Sequence, residues 1–140
     1  MLYLYKCKVL QVIDGDTISL DIDLGRGIHA QDTDRGHRLW GINAPEIRTV
    51  AGKLSKQGLE SLLGMDFNGR FPNQFFVYTV QRDKNDKRDK YGRYLAVLFD
   101  HQPSDTEIAG IVEAVKAESL VPLSLNTKLV ESGLAVEKYW

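Results

Sequence analysis

VIDGDTISLDIDL, residues 12–24, reads as the turn and second strand of a β-hairpin. The Asp-Gly pair inside DGDT is a strong turn signal. After it, Ile18, Leu20, Ile22 and Leu24 alternate with polar residues, which places them on one face of a strand. Residues 2–13 are mostly β-formers, so the two runs predict a hairpin with one buried face. The segment GRGIHAQDTDRG (25–36) is Gly-rich and polar and reads as a loop or an extended hairpin tip. Further strands are expected at about 37–42, at QFFVYTV (74–80) and at YLAVLF (94–99).

Three helices fit between and after these strands. Residues 53–63 carry Leu54, Leu59, Leu62 and Leu63 on a broad helical face, although Gly58 costs roughly 1 kcal/mol of propensity. SDTE (104–107) matches a capping box with Ser104 as N-cap, and Ile108, Ile111, Val112 and Val115 follow at helical spacing. A shorter helix over about 125–132 starts at Ser124 and stops at Gly133, where a left-handed cap suits glycine. Five strands, one helix between the third and fourth and further helices at the C-terminal end predict an α+β, mainly β, fold. The expected form is a five-stranded OB-type β-barrel with about three helices. Periodicity alone does not separate it from another small α+β fold.

The chain of 140 residues is 43% hydrophobic, enough for one compact domain with a real core, so a single domain over 1–140 is expected. Lys and Arg total 18 against 19 for Asp and Glu, so the net charge of -1 gives no long-range attraction for nucleic acid. Any such binding has to come from local clusters. The single cysteine, Cys7, cannot form an internal disulfide and reads as a small hydrophobe on a strand. The apolar start is interrupted at Lys6 and Lys8 and lacks a signal-type cleavage site, so the chain as given reads as intracellular or already processed. No run approaches the roughly 18 apolar residues of a membrane span, and no membrane partner is expected.

Three segments hold residues suited to chemistry. In DGDT, Asp14 and Asp16 flank Gly15; this is a plain turn, or a pair of carboxylates offering oxygens to a hard cation such as calcium or magnesium. In RLWGINAPE (38–46), Arg38 opens a strand and Glu46 lies just past its end. Pro45 fixes the path before Glu46, so that carboxylate could orient or deprotonate a water, or be a solvated loop acid. The third is DKYGR (89–93), which ends a run over 82–93 with a net charge of +3. Such a run is a solvated loop, or a nucleic-acid contact in which Tyr91 offers a stacking face among cations. Phosphodiester hydrolysis builds charge on phosphate oxygens, so it wants a cation, fixed guanidinium donors and a group that manages the attacking water. Asp16, Arg38, Glu46 and Arg93 supply that set. The histidines His29, His37 and His101 are scattered, and Trp40 reads as barrel-wall packing rather than as a platform for bases.

VIDGDT, RLWGINAPE and DKYGR, in this order, resemble the motifs of the thermonuclease family, the staphylococcal-nuclease-like domains. NTKLVESGLA (126–135) resembles the family's late helix, so the likeness runs from about residue 8 to residue 139. It implies an OB-type barrel with helices and calcium-dependent cleavage of DNA or RNA that leaves 3′-phosphates, with magnesium or manganese as other candidate cations. By resemblance, Asp16 is a metal ligand, Arg38 and Arg93 are phosphate-binding arginines, and Glu46 is the general base or water-positioning group. Lys90, Tyr91 and Tyr139 match positions lining the nucleotide pocket.

Departures from the family pattern shape these expectations. Asn43 stands where a second metal-ligand aspartate is typical, and Ala44 where a threonine carbonyl is used. The carbonyl survives; the amide of Asn43 removes one negative charge, which predicts weaker metal binding. The hairpin between Asp16 and Arg38 is longer than usual, and the capped helix near 102–120 resembles an insertion. The chain stops at Trp140, where the family's final helix would follow, and the inserted helix is expected to cover the same apolar surface. The expectation is a monomeric metal-dependent nuclease. The alternative is a non-catalytic OB-type module that binds nucleic acid or protein and has a weakened metal site.

Overall fold

The computed structural model describes residues 3–31, 36–80 and 94–139. Strand β1 (Leu4–Asp14) turns through Gly15 and Asp16 into β2 (Thr17–Asp23). Register shifts between Val9 and Gln11 and between Val12 and Asp14 leave Leu10 and Ile13 as extra residues on β1. Such bulges sharpen the bend that a small barrel needs. The second one sets Asp14 opposite Thr17 and so defines the two-residue turn.

Past β2 the chain runs through β3 (His29–Gln31), β4 (His37–Leu39), β5 (Ile42–Asn43) and helix α1 (Val50–Leu62). It continues through β6 (Gln74–Thr79), β7 (Tyr94–Phe99), helix α2 (Asp105–Ala117), helix α3 (Leu125–Glu131) and β8 (Val136–Glu137). β1 pairs with both β2 and β6, β6 with β7, β7 with β4 in parallel, and β4 with β2, which closes a five-stranded ring. This closed barrel with three helices is an OB-type α+β fold, mainly β. β3 extends the first hairpin along the far end of β2, and β5 pairs with β8 beside the barrel.

The barrel interior is filled by Cys7, Val9, Ile18, Leu20, Leu39, Val77 and Leu98, plugged at one end by Leu59 and Leu63 of α1 and its exit and by Leu125 and Leu129 of α3. A second apolar cluster lies outside, where Leu95, Val97 and Phe99 of β7 meet Ile111 and Ala114 of α2, together with Trp40. β7 is therefore buried on both faces, which is why YLAVLF is an unbroken apolar run. The capping box of α2 forms as expected: Ser104 Oγ accepts from Glu107 N, and Glu107 reaches back to Ser104 N. Ser124 caps α3, and Gly133 follows with φ +79°.

Four expectations need correction. The strand expected over 37–42 breaks at Trp40–Gly41, where Gly41 takes φ +81°, a conformation without cost only for glycine. Helix α1 begins at Val50, capped by Thr49 rather than starting near 53, because the Thr49 hydroxyl satisfies Gly52 N. Its leucine face packs only in part: Leu59 and Leu63 are buried as expected, Leu54 and Leu62 are exposed, and Gly52 and Ser55 join the buried side. On β2, Leu24 lies past the strand end and is exposed, whereas Thr17 and Ser19 are buried on the side expected to face solvent. Among the described residues, no helix is long and apolar enough to cross a membrane.

Candidate functional site

Asp16 occupies the tip of the first hairpin and is pinned from three sides. Its carbonyl accepts from Leu39 N at 2.7 Å, which ties the turn to β4. Its carboxylate accepts from Thr17 Oγ1 at 3.0 Å and from Ala44 N at 2.9 Å. Close packing makes this possible: a Cβ on Gly15 would run into the Ser55 hydroxyl and Ala44 Cβ, so the turn, the loop after β5 and helix α1 meet at small residues. Ser55 Oγ also donates to Leu134 O at 2.7 Å, binding α1 to the chain after α3.

Arg38 enters the same point from β4. Its side chain is 3% exposed, and Nη2 donates to Ile42 O at 2.9 Å and to Asn43 Oδ1 at 3.1 Å, with Asp16 Oδ2 at 3.6 Å. The guanidinium is thus held in one orientation by an ion pair and two hydrogen bonds, the form a buried arginine needs to be tolerated. Asp16, Arg38, Asn43 and Ala44, named separately by the sequence, lie together.

Asp14, which the sequence offers either as part of a plain turn or as one of a pair of carboxylates for a hard cation, joins them. Asp16 N donates to Asp14 Oδ1 at 3.0 Å, which brings the two carboxyls together. Burial first, then hydrogen bonding and charge repulsion from Asp16, push the Asp14 carboxyl up to about 6. The oxygen-only donor set of Asp14, Asp16, Asn43 and the Ala44 carbonyl fits a hard divalent cation, and a crowded carboxylate pair is what such a charge relieves. Against this, the Asn43 oxygen is already engaged by Arg38. Among the described residues no group of three or more His, Cys, Asp or Glu side chains is arranged to hold a metal ion.

Glu46 follows on the loop into α1. Its carbonyl accepts from Thr49 N and Thr49 Oγ1, and a Cβ on Gly52 would strike that carbonyl, so the backbone is fixed. The carboxylate faces solvent, 75% exposed, with Arg48 Nη2 at 3.5 Å. Tyr139 packs on Trp40 with ring centroids 4.9 Å apart, sits against Gly41 and donates its hydroxyl to Glu137 at 2.6 Å. Burial, and next the bond to Glu137, raise its phenol above the ordinary range. Trp40 is in the barrel wall as expected. Lys90, Tyr91 and Arg93 lie outside the described residues, as does the rest of the charged run.

The histidines stand apart from this cluster. His37 is buried against Tyr94, His29 bonds Asp21, and His101 lies between Asp100 and Glu107. Asn126, Ser55 and Thr17 support the site, yet only hydroxyl and amide side chains inside apolar runs marked them in the sequence. Comparison with protein-family models gives no match, and comparison with curated proteins gives none either. The likeness to thermonucleases therefore rests on the motifs themselves.

Proposed function

We propose that the chain is a metal-dependent nuclease of the thermonuclease type, hydrolysing phosphodiester bonds of DNA, RNA or both and leaving 3′-phosphates. The observation that supports it most is the buried Arg38 guanidinium, oriented by Asp16, Ile42 and Asn43 beside a crowded carboxylate pair. A guanidinium held this way costs no reorganisation when phosphate oxygens gain charge.

Arg38 donates to a phosphate oxygen, and Arg93 is assigned the second guanidinium contact, toward the leaving oxygen. Glu46 orients a water and accepts its proton as the water oxygen bonds to phosphorus; the bond to the 5′ oxygen breaks, and the phosphate stays on the 3′ side. Solvent access at Glu46 suits a group that must take up a water. Asp16, Asp14, Asn43 and the Ala44 carbonyl would hold the divalent cation, calcium first, whose bound charge neutralises carboxylates and phosphate. Lys90, Tyr91 and Tyr139 are assigned to the nucleotide. Backbone chemistry carries little sequence information, so the reading does not choose between DNA and RNA.

The alternative of a non-catalytic OB-type binding module draws on one observation, the commitment of the Asn43 oxygen to Arg38. The test is cleavage of single- and double-stranded DNA and of RNA with calcium, magnesium, manganese or EDTA, beside Glu46→Gln and Asn43→Asp. The nuclease reading expects metal-dependent cleavage that drops roughly 10²- to 10⁴-fold in Glu46→Gln, and a lower metal requirement in Asn43→Asp. Binding without cleavage under every metal would establish the module instead.

A further inference from the structure

The parallel pairing of β4 and β7 ends in an unusual way. In a parallel ladder, a bonded residue donates its N–H to one residue of the neighbouring strand and gives its C=O to the residue two further on. β4 and β7 pair through Leu39 and Ala96, and Trp40 N still donates to Ala96 O at 2.8 Å. The next rung would join Leu98 N to Trp40 O. Instead, Leu98 N donates to Asn126 Oδ1 at 3.0 Å, and Asn126 Nδ2 donates to Trp40 O at 2.8 Å and to Ala96 O at 3.0 Å.

The carboxamide of Asn126, in the first turn of α3 and 2% exposed, has taken the place of a rung. It satisfies both main-chain groups and keeps the strands apart. The chain then turns at Gly41 and crosses to β8, with Ile42 opposite Glu137 and Asn43 opposite Val136. That path returns Ile42 O and Asn43 Oδ1 to Arg38, and Ala44 N to Asp16.

We propose that Asn126 is a positioning residue for the Arg38–Asp16 site: its side chain, inserted as the missing rung between β4 and β7, sets where residues 40–44 leave the barrel and so aims the guanidinium. The consequence for catalysis rests on the phosphodiesterase reading above; the geometric claim does not. Only an amide of this length meets the need, since the place asks for donors to two carbonyls and an acceptor for one N–H. An ionised aspartate accepts but cannot donate, and its charge would face two carbonyl oxygens.

The test compares Asn126→Asp with Leu129→Ala, a buried residue of the same helix with no bond to β4, at temperatures where circular dichroism shows both folded. NMR signals of the Arg38 guanidinium and the Gly41 amide are followed against the parent at each pH, and kcat and KM are measured for cleavage. Expected for Asn126→Asp are displaced Arg38 and Gly41 signals at neutral pH, partial return as acid protonates the new carboxyl into a donor, and a kcat reduced at least about tenfold. Leu129→Ala should leave those signals and kcat in place while lowering the melting temperature. Unmoved Arg38 and Gly41 signals in Asn126→Asp, or equal movement in Leu129→Ala, would overturn the proposal. Should Asn126→Asp not fold, Asn126→Ser decides on the same signals, without the acid recovery. A parent without cleavage sinks the nuclease reading, and the NMR comparison still decides the role of Asn126.

Discussion

Arg38 and Glu46 are near neighbours in sequence, yet one is 3% exposed and the other 75%. The arginine is locked by Asp16, Ile42 and Asn43, whereas the glutamate carboxylate stands in water beside Arg48. The contrast separates two demands on one site. On the proposed nuclease reading, the group that must not move when charge develops is built into the fold and is inseparable from its stability. The group that reading assigns to collecting water is fixed through its backbone, so its side chain can change at little cost to folding.

The largest effect should come from breaking the buried half. Arg38→Ala leaves Asp16 buried without its cation and is expected to cost about 3–5 kcal/mol in urea unfolding. A loss below about 1 kcal/mol would mean that Asp16 is not compensated by Arg38.

Asp14 sharpens the same half with the opposite sign. Its carboxyl is raised in the folded state to about 6, so the folded protein holds its proton more tightly than the unfolded chain does. Stability therefore falls as pH rises through this interval and stays reduced at neutral pH. Asp14→Asn retains the oxygen that accepts from Asp16 N and removes the charge; without added metal it should gain on the order of 1 kcal/mol at pH 7 and nothing near pH 3, after discounting for partial exposure. Equal unfolding midpoints of parent and variant across that pH range would refute the crowding of the two carboxyls.

Away from the site, His101 offers a smaller effect. Nδ1 meets Asp100 Oδ1 at 2.9 Å and Nε2 meets Glu107 Oε2 at 2.7 Å, with Lys128 also on Asp100 at 3.3 Å. Both ring nitrogens face carboxylates, so the imidazolium is favoured, and the bonds to Glu107 and Asp100 raise its pKa. A raised histidine contributes stability that is full below the unfolded value and is lost as pH rises through the folded one. The stability difference between parent and His101→Gln should accordingly shrink as pH rises above neutrality; thermal melts at several pH values measure it, and a constant difference would argue against the paired imidazolium.

The smallest effect belongs to the exposed half. Glu46→Gln and Arg48→Ala should each shift stability by less than about 0.5 kcal/mol, since an exposed ion pair contributes little. Denaturation showing a loss above about 1 kcal/mol in either would erase the contrast between the two halves.

Much of this was legible in the sequence where local chemistry and pattern agree. The Asp-Gly turn with the buried Ile18, Leu20 and Ile22 after it, the Ser104 capping box and the Ser124-to-Gly133 limits of α3 each combine a turn or cap residue with a hydrophobic period. Leu54 and Leu62 misled where Leu59 and Leu63 did not, because periodicity reports which residues are apolar, not which face approaches most closely. Gly52, Ser55 and Gly58 are the approach surface: a Cβ on Gly52 would strike Glu46 O, and one on Gly58 would strike Leu134, which Ser55 also bonds; the contacts with Leu134 are too distant in the chain to leave a local signal. The cluster of Asp16, Arg38, Asn43 and Ala44 was read from motif order. The sequence offers Asp14 with Asp16 as a carboxylate pair, but its crowding against Asp16 depends on a bulge at Ile13, and the place of Asn126 on a missing rung beside β7; both exist only once strands are paired.

Cys7 lies on β1, opposite Ile22 of β2 and Phe75 of β6, at the seam where the first hairpin meets the later strands. Burial, reinforced by Asp21, pushes its thiol up to about 12, so in the closed barrel it is scarcely nucleophilic. Reaching it requires both flanking ladders to part. The rate at which a thiol reagent labels the native protein is therefore a clock for barrel opening, and it runs without any introduced probe.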